Sequence, residues 1–447
     1  MLIKKLGAVF LTAIMTFIFI SQDMKVSGQK TDSGAFSQNT REENYSRDDN
    51  DNNGRPRTVD PTRGIVVDDD SRCPGTDYQT IQAAVNAASP GDLIQVCPGV
   101  YQEQVAISKR LTIVGVEFQN ENQALVKPAP AVPNSTSLFS GTPIAAIILV
   151  NQTNNVVLDN LTVDGETNGI NGCNNSAIVG VFFRNASGSA ENLAVRNIRA
   201  VGNGSCQRNF GIFAQSGGNG RSRVSVINSS IHDYEKAGIV ANENGTELTA
   251  IGNAVTGLGP INANAQNGIQ VGFGAKGYIA ENSVINHIST RCTNLQNCGN
   301  AAGGSIIVVE VNDAKVLLNN TGKSQAGIFV LGDRAEISGN TVFDTDVLDA
   351  ISVIGNRNEV RLNRIFNSDR AGVFVSGNQN RVRNNTINEA QVGVLQDEAA
   401  SNNNNLFDNR FFNTVKQNLN TDNTPTLGRG TAAAADSSAI NISAVRP

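Results

Sequence analysis

The sequence predicts an all-β solenoid of stacked coils, preceded by one short α-helix that caps the first coil. One pattern occurs three times in succession, as AGIFVLGDRAEISGNTVFDT at 326–345, DAISVIGNRNEVRLNRIFNS at 349–368 and AGVFVSGNQNRVRNNTINEA at 371–390. Asparagines recur with the same period. Gly is frequent at 43 residues and charged residues make up only 17%, a profile that suits many short strands joined by tight turns.

The first residues predict export. The stretch MLIKKLGAVFLTAIMTFIFISQDMKVSG places Lys4 and Lys5 before an apolar run that ends at Ile20. This order is typical of a signal peptide, here 1–28, and it predicts a secreted, periplasmic or extracellular protein with no membrane association after cleavage. The alternative is an uncleaved anchor, which needs about 20 apolar residues.

Two polar segments flank the predicted solenoid. Residues 29–60 contain SRDDNDNNGRPR and lack an apolar pattern, so they cannot bury enough surface to offset their ordering entropy and are interpreted as a disordered linker. Residues 416–447 are interpreted as a loose tail that could cover one face. The solenoid itself is assigned to 61–415.

Six cysteines fit an oxidising compartment. They are Cys73, Cys97, Cys173, Cys206, Cys292 and Cys298. Fifteen connectivities exist for six cysteines, and nearest-neighbour pairing is the hypothesis chosen here. A metal site is the alternative, but the sequence has no CxxC pair and only two histidines.

The solenoid opens with TIQAAVNAASPGDLIQVCPGVYQEQVAISKRLTIVG. Ile81, Ala84, Val85 and Ala88 recur at helical spacing before Pro-Gly, which predicts a helix near residues 80–89. Alternating strand patterns follow it. One helix followed only by strands predicts a cap, because an open stack end exposes apolar side chains and unpaired amides.

The later coils are aligned by their asparagines. Each stands two residues before an aliphatic or aromatic residue: Asn253, Asn282, Asn340, Asn363, Asn385 and Asn409. The last four are 23, 22 and 24 residues apart. An Asn at the same corner of each coil can bond to the Asn above and below, which predicts a ladder worth about 0.5–1.5 kcal/mol per bond.

Across about 61–415 the sequence resembles right-handed parallel β-helix proteins of the pectate-lyase-like superfamily. The resemblance lies in the TIQAAV helix, the PGVYQEQVAI coil and the repeated GI-x-V and N-x-[IV] steps. The first coil resembles pectinesterases. The later coils resemble β-helix repeat proteins of periplasmic carbohydrate binding. The resemblance implies the fold and leaves the chemistry open.

Catalytic signatures of the superfamily are missing. The chain has no QAVAL-like or DFIFG-like step, no Arg-x-Pro-Trp step, no Gly-His-Gly step and no Asp-Pro-His-Asp step. Pectinesterase, polygalacturonase and mannuronan epimerase activities are therefore disfavoured. A lyase stays open, since its carboxylate cage for calcium and its Arg or Lys base are dispersed in sequence. No cofactor is expected unless the protein is such a lyase.

The GI-x-V strands predict two columns of side chains. The inward column is aliphatic: Ile212, Ile239, Ile269, Ile306, Ile328, Ile351, Val373 and Val394. The outward column is mostly apolar: Phe213, Val240, Gln270, Ile307, Phe329, Ser352, Phe374 and Leu395. In the superfamily these strands usually line the substrate groove, so Phe213, Phe329 and Phe374 are the predicted binding face. The alternative is that the chain's own tail or loops cover the column.

Charged residues in the loops before these strands are the candidate catalytic groups. They are Asp233, Lys236, Asp349, Asp369 and Arg370. Asp349 and Arg370 precede aligned strands in successive coils and should lie about 5 Å apart along the stack. A solvated ion pair is the preferred interpretation and a catalytic pair the alternative.

The acidic stretch FDTDVLD suggests a calcium site. Asp344, Asp346 and Asp349 could supply its oxygens, although Asp is also common in turns.

Three classes of function compete. A noncatalytic exported protein that binds polysaccharide or a cell-surface protein is the preferred hypothesis, and a polysaccharide lyase, hydrolase or epimerase is the alternative. A surface scaffold is the third. Nucleic-acid binding is excluded, because a formal charge of −5 is the opposite of the clustered basic surface it requires.

Overall fold

The repeated sequence units form successive coils of a parallel β-helix. A computed structural model describes residues 55, 57–128, 130–173, 176–201, 206–262, 266–294, 298, 302–397 and 403–420. The predicted signal peptide, most of the predicted linker and the tail beyond residue 420 lie outside the described residues. Each complete coil contributes a strand to three parallel stacks, which are named below.

The first stack is the thirteen-strand sheet. Its strands are Ile65–Val67, Leu93–Val96, Thr112–Gly115, Val156–Asp159, Gly188–Glu191, Ser222–Ile227, Thr246–Ile251, Lys276–Ala280, Lys315–Leu317, Glu336–Ser338, Glu359–Arg361, Arg381–Arg383 and Asn405–Phe407. Their side chains alternate between the interior and solvent, as in Ser222–Ile227. This alternation is the period of two that a half-buried strand requires.

The second stack, called the corner sheet, begins just after the asparagine corner of each later coil. Its strands are Gly99–Tyr101, Ala124–Val126, Thr162–Asp164, Ala194–Arg196, Ser230–His232, Ala254–Thr256, Ser283–His287, Asn320–Ser324, Thr341–Thr345 and Arg410–Phe412. Two long strands, Arg364–Ser376 and Thr386–Gln396, start in this sheet and continue into the third stack.

The third stack is called the GI-x-V sheet. Its other strands are Val105–Ile107, Pro143–Asn151, Ala177–Arg184, Phe210–Gln215, Ala237–Asn242, Asn267–Gly272, Gly304–Val309, Ala326–Leu331, Ile351–Ile354 and Lys416–Asn420. A short strand, Ser135–Thr136, pairs antiparallel with Pro143–Asn151.

The predicted capping helix is present as Ile81–Ala87. Thr80 is its N-cap and accepts a hydrogen bond from the Ala83 N–H. Glu103 accepts the N–H groups of Ile81 and Gln82 at 2.7 and 2.8 Å, so a carboxylate from the first coil satisfies two further donors of the helix start. The helix buries Ile81, Ala84 and Val85 against the coil below it.

The predicted inward column is confirmed by the parallel registers that connect Ile212 to Val394 coil by coil. All eight side chains belong to the main buried cluster. Burying one such side chain contributes about 1.5–3 kcal/mol. The aliphatic spacing read from the sequence therefore marks the interior of the stack.

The predicted asparagine ladder is also confirmed, with one addition. Each side chain donates from Nδ2 to the Oδ1 of the next Asn in the series Asn253, Asn282, Asn319, Asn340, Asn363, Asn385 and Asn409. Asn319 was missed because Thr321, which is neither aliphatic nor aromatic, stands two residues after it. A shorter second ladder, also missed, connects Asn358, Asn380 and Asn404 at another turn.

The three disulfides follow the predicted nearest-neighbour pairing. They join Cys73 to Cys97, Cys173 to Cys206 and Cys292 to Cys298. The first connects residues 24 apart and fastens the start of the fold to the first coil.

Contacts of the fold extend beyond both predicted boundaries. Arg55, assigned to the linker, forms ion pairs with Glu191 at 2.6 Å and Asp159 at 3.0 Å. At the other end, Lys416–Asn420, assigned to the tail, adds a strand beside Thr386–Gln396. Within the described part of the chain, no helix has the length and hydropathy that a membrane span needs.

Candidate functional site

The predicted binding face is buried. Phe213, Phe329 and Phe374 occupy one column in register, as expected, but they are 0%, 0% and 1% exposed. The prediction that their rings face solvent is therefore wrong. Of the two alternatives drawn from the sequence, a covered column is the one that the burial of these rings supports.

Side chains from loops and neighbouring coils form small secondary cores around these rings. Phe329 packs in a cluster with the Cys292–Cys298 pair and Leu348. The Arg370 guanidinium lies over the Phe374 ring, 5.1 Å from its centroid. The apolar side chains of this column therefore pack inside the protein. The two-residue period of the strands does not distinguish such a buried column from an exposed binding face.

Asp233 and Lys236 lie apart from the other predicted catalytic residues. Asp233 is partly exposed and bonds to His232 at 2.7 Å. Lys236 is fully buried, and burial lowers its pKa to about 7. Lys236 leads into a strand four coils before that of Asp349, so the two lie about 19 Å apart along the stack at about 4.8 Å per coil.

Asp349 and Arg370 form the predicted ion pair, with Nη1 3.0 Å from Oδ2. The prediction of a solvated pair is wrong, because Asp349 is completely buried and Arg370 nearly so. Ser352 also donates to Oδ2, at 2.9 Å. Burial raises the pKa of Asp349, while Arg370 and Ser352 lower it. The pair has little contact with solvent.

The predicted calcium ligands do not converge. Asp349 faces Arg370, and Asp344 accepts a hydrogen bond from Asn367 Nδ2 at 2.8 Å. In the described part of the chain, two clusters have three possible metal-ligand atoms within 4.8 Å of one another, and neither contains these aspartates. One of the two clusters consists of Glu235 and the disulfide-bonded Cys173 and Cys206. The three aspartates therefore do not form a cage.

Phenylalanines on the outer surface of the corner sheet were missed. The registers place Phe343, Phe366, Asn388 and Phe412 in successive coils. Phe366 is 38% and Phe412 53% exposed, while Phe343 is partly exposed. These residues, with their outward neighbours two positions earlier, are here called the aromatic face: Thr341, Phe343, Arg364, Phe366, Thr386, Asn388, Arg410 and Phe412.

The aromatic face combines rings with hydrogen-bonding groups. Successive coils are about 4.8 Å apart, so Phe366 and Phe412 are separated by about 10 Å with Asn388 between them. Arg364 and Arg410 are exposed, and within the described residues neither forms an ion pair. Phe343 lies against Gly322 in the coil before: a Cβ there would be 2.7 Å from its ring.

An acidic group adjoins this surface. Asp344 directly follows Phe343, and Asp346 lies in the loop after that strand. Asp369 lies in the next coil, at the irregularity of the long strand Arg364–Ser376. Burial, and then repulsion from Asp369 and Asp344, raise the pKa of Asp346. The structure thus brings Asp344, Asp346 and Asp369 into one neighbourhood at the end of the corner-sheet strands.

A sequence signal for the aromatic face did exist. After each ladder asparagine the residues at positions one and three point outward, and the residue at position two points inward, as in N-R-I-F and N-R-F-F. The buried second position is the one by which the coils align. Reading the third position would have found Phe343, Phe366 and Phe412.

No protein-family model matches the chain, and no curated protein matches it. Solved structures do. The GH136 lacto-N-biosidase from Eubacterium ramulus aligns with a TM-score of 0.55 at 13% identity, over 78% of this chain and 67% of that chain. The periplasmic alginate epimerase AlgG aligns with a TM-score of 0.45 at 13% identity, over 76% and 83%. The likeness to the lacto-N-biosidase concerns the fold, which is a right-handed parallel β-helix as predicted.

Proposed function

We propose that this chain is an exported protein whose aromatic face binds a polysaccharide without cleaving it. The observation that carries the proposal is the exposure of Phe366 and Phe412 beside Arg364 and Arg410 on one side of a parallel sheet. Large apolar side chains gathered on a surface usually mark an interaction site. Here they belong to a regular array in which rings and guanidinium groups recur in separate coils, with the amide of Asn388 between them.

The chemistry of the face suits a sugar chain. One side of a pyranose ring carries C–H groups, which pack on the electron-rich face of an aromatic ring. The hydroxyl groups at its edge need donors and acceptors, which Arg364, Asn388 and Arg410 supply. A linear chain of sugars lying along the stack would meet this combination repeatedly.

Two further observations support the proposal. The three disulfides fit a protein that reaches an oxidising compartment. The β-helix that aligns with a TM-score of 0.55 is a lacto-N-biosidase, so this architecture is compatible with a carbohydrate ligand. A cell-surface protein as ligand is the competing possibility that the experiment must separate.

Glycan-array binding followed by titration calorimetry tests the proposal. Phe366→Ala should weaken binding of the selected glycan at least tenfold. Phe407→Ala is the matched control, because Phe407 is equally exposed at 38% but lies on the thirteen-strand sheet. Absence of any glycan ligand, or equal effects of the two substitutions, would reject the aromatic face as a carbohydrate site.

A second candidate function is polysaccharide cleavage at the acidic group. The observation that favours it is the position of Asp346, whose pKa is raised, beside the carboxylate of Asp369, since glycoside hydrolysis uses a carboxylic acid with a raised pKa together with a second carboxyl group. Release of reducing ends or unsaturated products from a panel of polysaccharides, abolished by Asp346→Asn, would establish it. Binding without products would favour the noncatalytic proposal.

A further inference from the structure

A polar cleft of about 610 Å³ opens at the turn between the GI-x-V sheet and the thirteen-strand sheet. Three successive coils line it. The turns that contribute Gln152 and Asn154, then Asn185 and Ser187, follow neighbouring strands in register. The third turn contains SGGNGR at 216–221 and contributes Asn219 and Arg221.

The third turn forms a wall because it is longer than the others. Six residues separate Gln215 from Ser222, whereas three separate the strands on either side of Asn185 and Ser187. Asn185 Oδ1 holds this turn by accepting the Gly217 N–H at 2.8 Å. The first and third turns form the two walls of the cleft and are two coils apart, which is about 10 Å at about 4.8 Å per coil. This distance leaves room for one small ligand above the middle turn.

The charge of the cleft is opposite to that of the protein. Its lining contains Arg221 and Arg223 and no carboxylate, in a chain with a formal charge of −5. Arg223 forms an ion pair with Glu247 at 3.1 Å. Arg221 is exposed, and among the described residues no carboxylate lies within ion-pairing distance of it. The remaining lining groups are amides and a hydroxyl, which hydrogen-bond to ligand hydroxyl groups.

We propose that this cleft is a second binding site, which takes the oxyanion of an acidic sugar, either a sulfate ester or a carboxylate. Arg221 binds the oxyanion, because a guanidinium presents paired donors to planar or tetrahedral oxyanions. Asn154 and Asn219 bind hydroxyl groups of the same sugar from opposite walls. The site is independent of the aromatic face, from which it is separated in sequence, in coil and in sheet.

Saturation-transfer NMR with the purified full chain tests the proposal. The probes are glucose 6-sulfate, glucuronate and glucose. At least one of the two anionic sugars should bind, at least tenfold more tightly than glucose, and raising the NaCl concentration from 20 to 500 mM should weaken that binding. Stronger binding of the sulfate ester or of the carboxylate identifies which oxyanion the site prefers.

Arg221→Gln should weaken binding of the anionic sugar at least tenfold. Arg221→Lys keeps the charge but not the paired donors, so it should weaken this binding less than Arg221→Gln does. Arg381→Gln is the control, because Arg381 is also exposed but does not line the cleft. The proposal is overturned if neither anionic sugar binds, if glucose binds equally well, or if Arg221→Gln and Arg381→Gln have equal effects. The outcome of this experiment does not depend on the glycan titration of Phe366→Ala, so each of the two proposed sites can be rejected without rejecting the other.

Discussion

Asn363 makes two hydrogen bonds to the same atom of Asn385. Its side-chain Nδ2 donates to Asn385 Oδ1 at 2.9 Å, and its backbone N–H donates to that oxygen at 3.0 Å. Asn363 Nδ2 also donates to the carbonyl oxygen of Ile337 at 3.0 Å. One buried amide therefore connects three coils and satisfies backbone groups that the sharp corner would leave unpaired.

Replacing this amide should destabilise the stack. Asn363→Leu leaves buried backbone groups at the corner without partners, and we expect the free energy of unfolding to fall by about 1–3 kcal/mol. Asn363→Asp should be worse than its shape suggests, because it buries a charge. Denaturant unfolding measures both, with Asn320→Leu at an exposed position as control. Unchanged stability of Asn363→Leu would contradict the role of the ladder.

Shortening the side chain should destabilise the protein strongly at Phe329 and hardly at all at Phe366. Phe329 is completely buried, so Phe329→Ser should cost about 3–5 kcal/mol, as other large-to-small core substitutions do. Phe366→Ser should change stability by less than about 0.5 kcal/mol, because the ring already contacts solvent. Thermal and denaturant unfolding of the two variants checks the assignment of core and surface. Equal losses would show that one of the two faces is misassigned.

Arg370 should matter for stability because it neutralises a buried carboxylate. Arg370→Met leaves Asp349 buried without its cation, and the expected loss is about 3 kcal/mol. Arg364→Met is the control on the same strand, since Arg364 is exposed, and it should be close to neutral. Denaturant midpoints give the comparison. A loss no larger than that of the control would mean that Asp349 does not depend on this partner.

His287 should make the fold sensitive to mild acid. It is buried beside Tyr234, with which it shares a hydrogen bond, and burial lowers its pKa from 6.5 to about 3. The unfolded chain binds a proton near pH 6.5 and the folded chain only near pH 3. The stability that depends on His287 is therefore complete above pH 6.5 and decreases as the pH falls towards 3.

At pH 5 this decrease should amount to about 2 kcal/mol. Chemical unfolding at pH 7.5 and pH 5.0 measures it. His287→Gln should lose less stability between the two pH values than the natural sequence does, whatever its stability at pH 7.5. His232→Gln, at the other and partly exposed histidine, should retain the full decrease. The same pH dependence in all three proteins would assign the effect to other groups.

Features that depend on local period could be predicted from the sequence. The spacing of Asn340, Asn363 and Asn385 set the coil length, and the two-residue alternation in the GI-x-V strands identified Ile212 and Ile328 as interior. The helix at Ile81–Ala87 followed from its own apolar spacing. These features were predictable because a strand stack repeats one local environment, so each coil supports the interpretation of the next.

The tertiary structure decided which outward-pointing side chains are exposed to solvent. Phe329 and Phe366 are both outward-pointing phenylalanines of parallel strands, yet Phe329 packs with the Cys292–Cys298 disulfide and Phe366 is exposed. Such loops interrupt the repeat, and their paths depend on contacts distant in sequence. The same reason explains the polar cleft, which Gln152 and Arg221 line from turns two coils apart. The repeat in the sequence specified the coils and their register, whereas the packing of loops between coils decided which outward side chains are exposed to solvent.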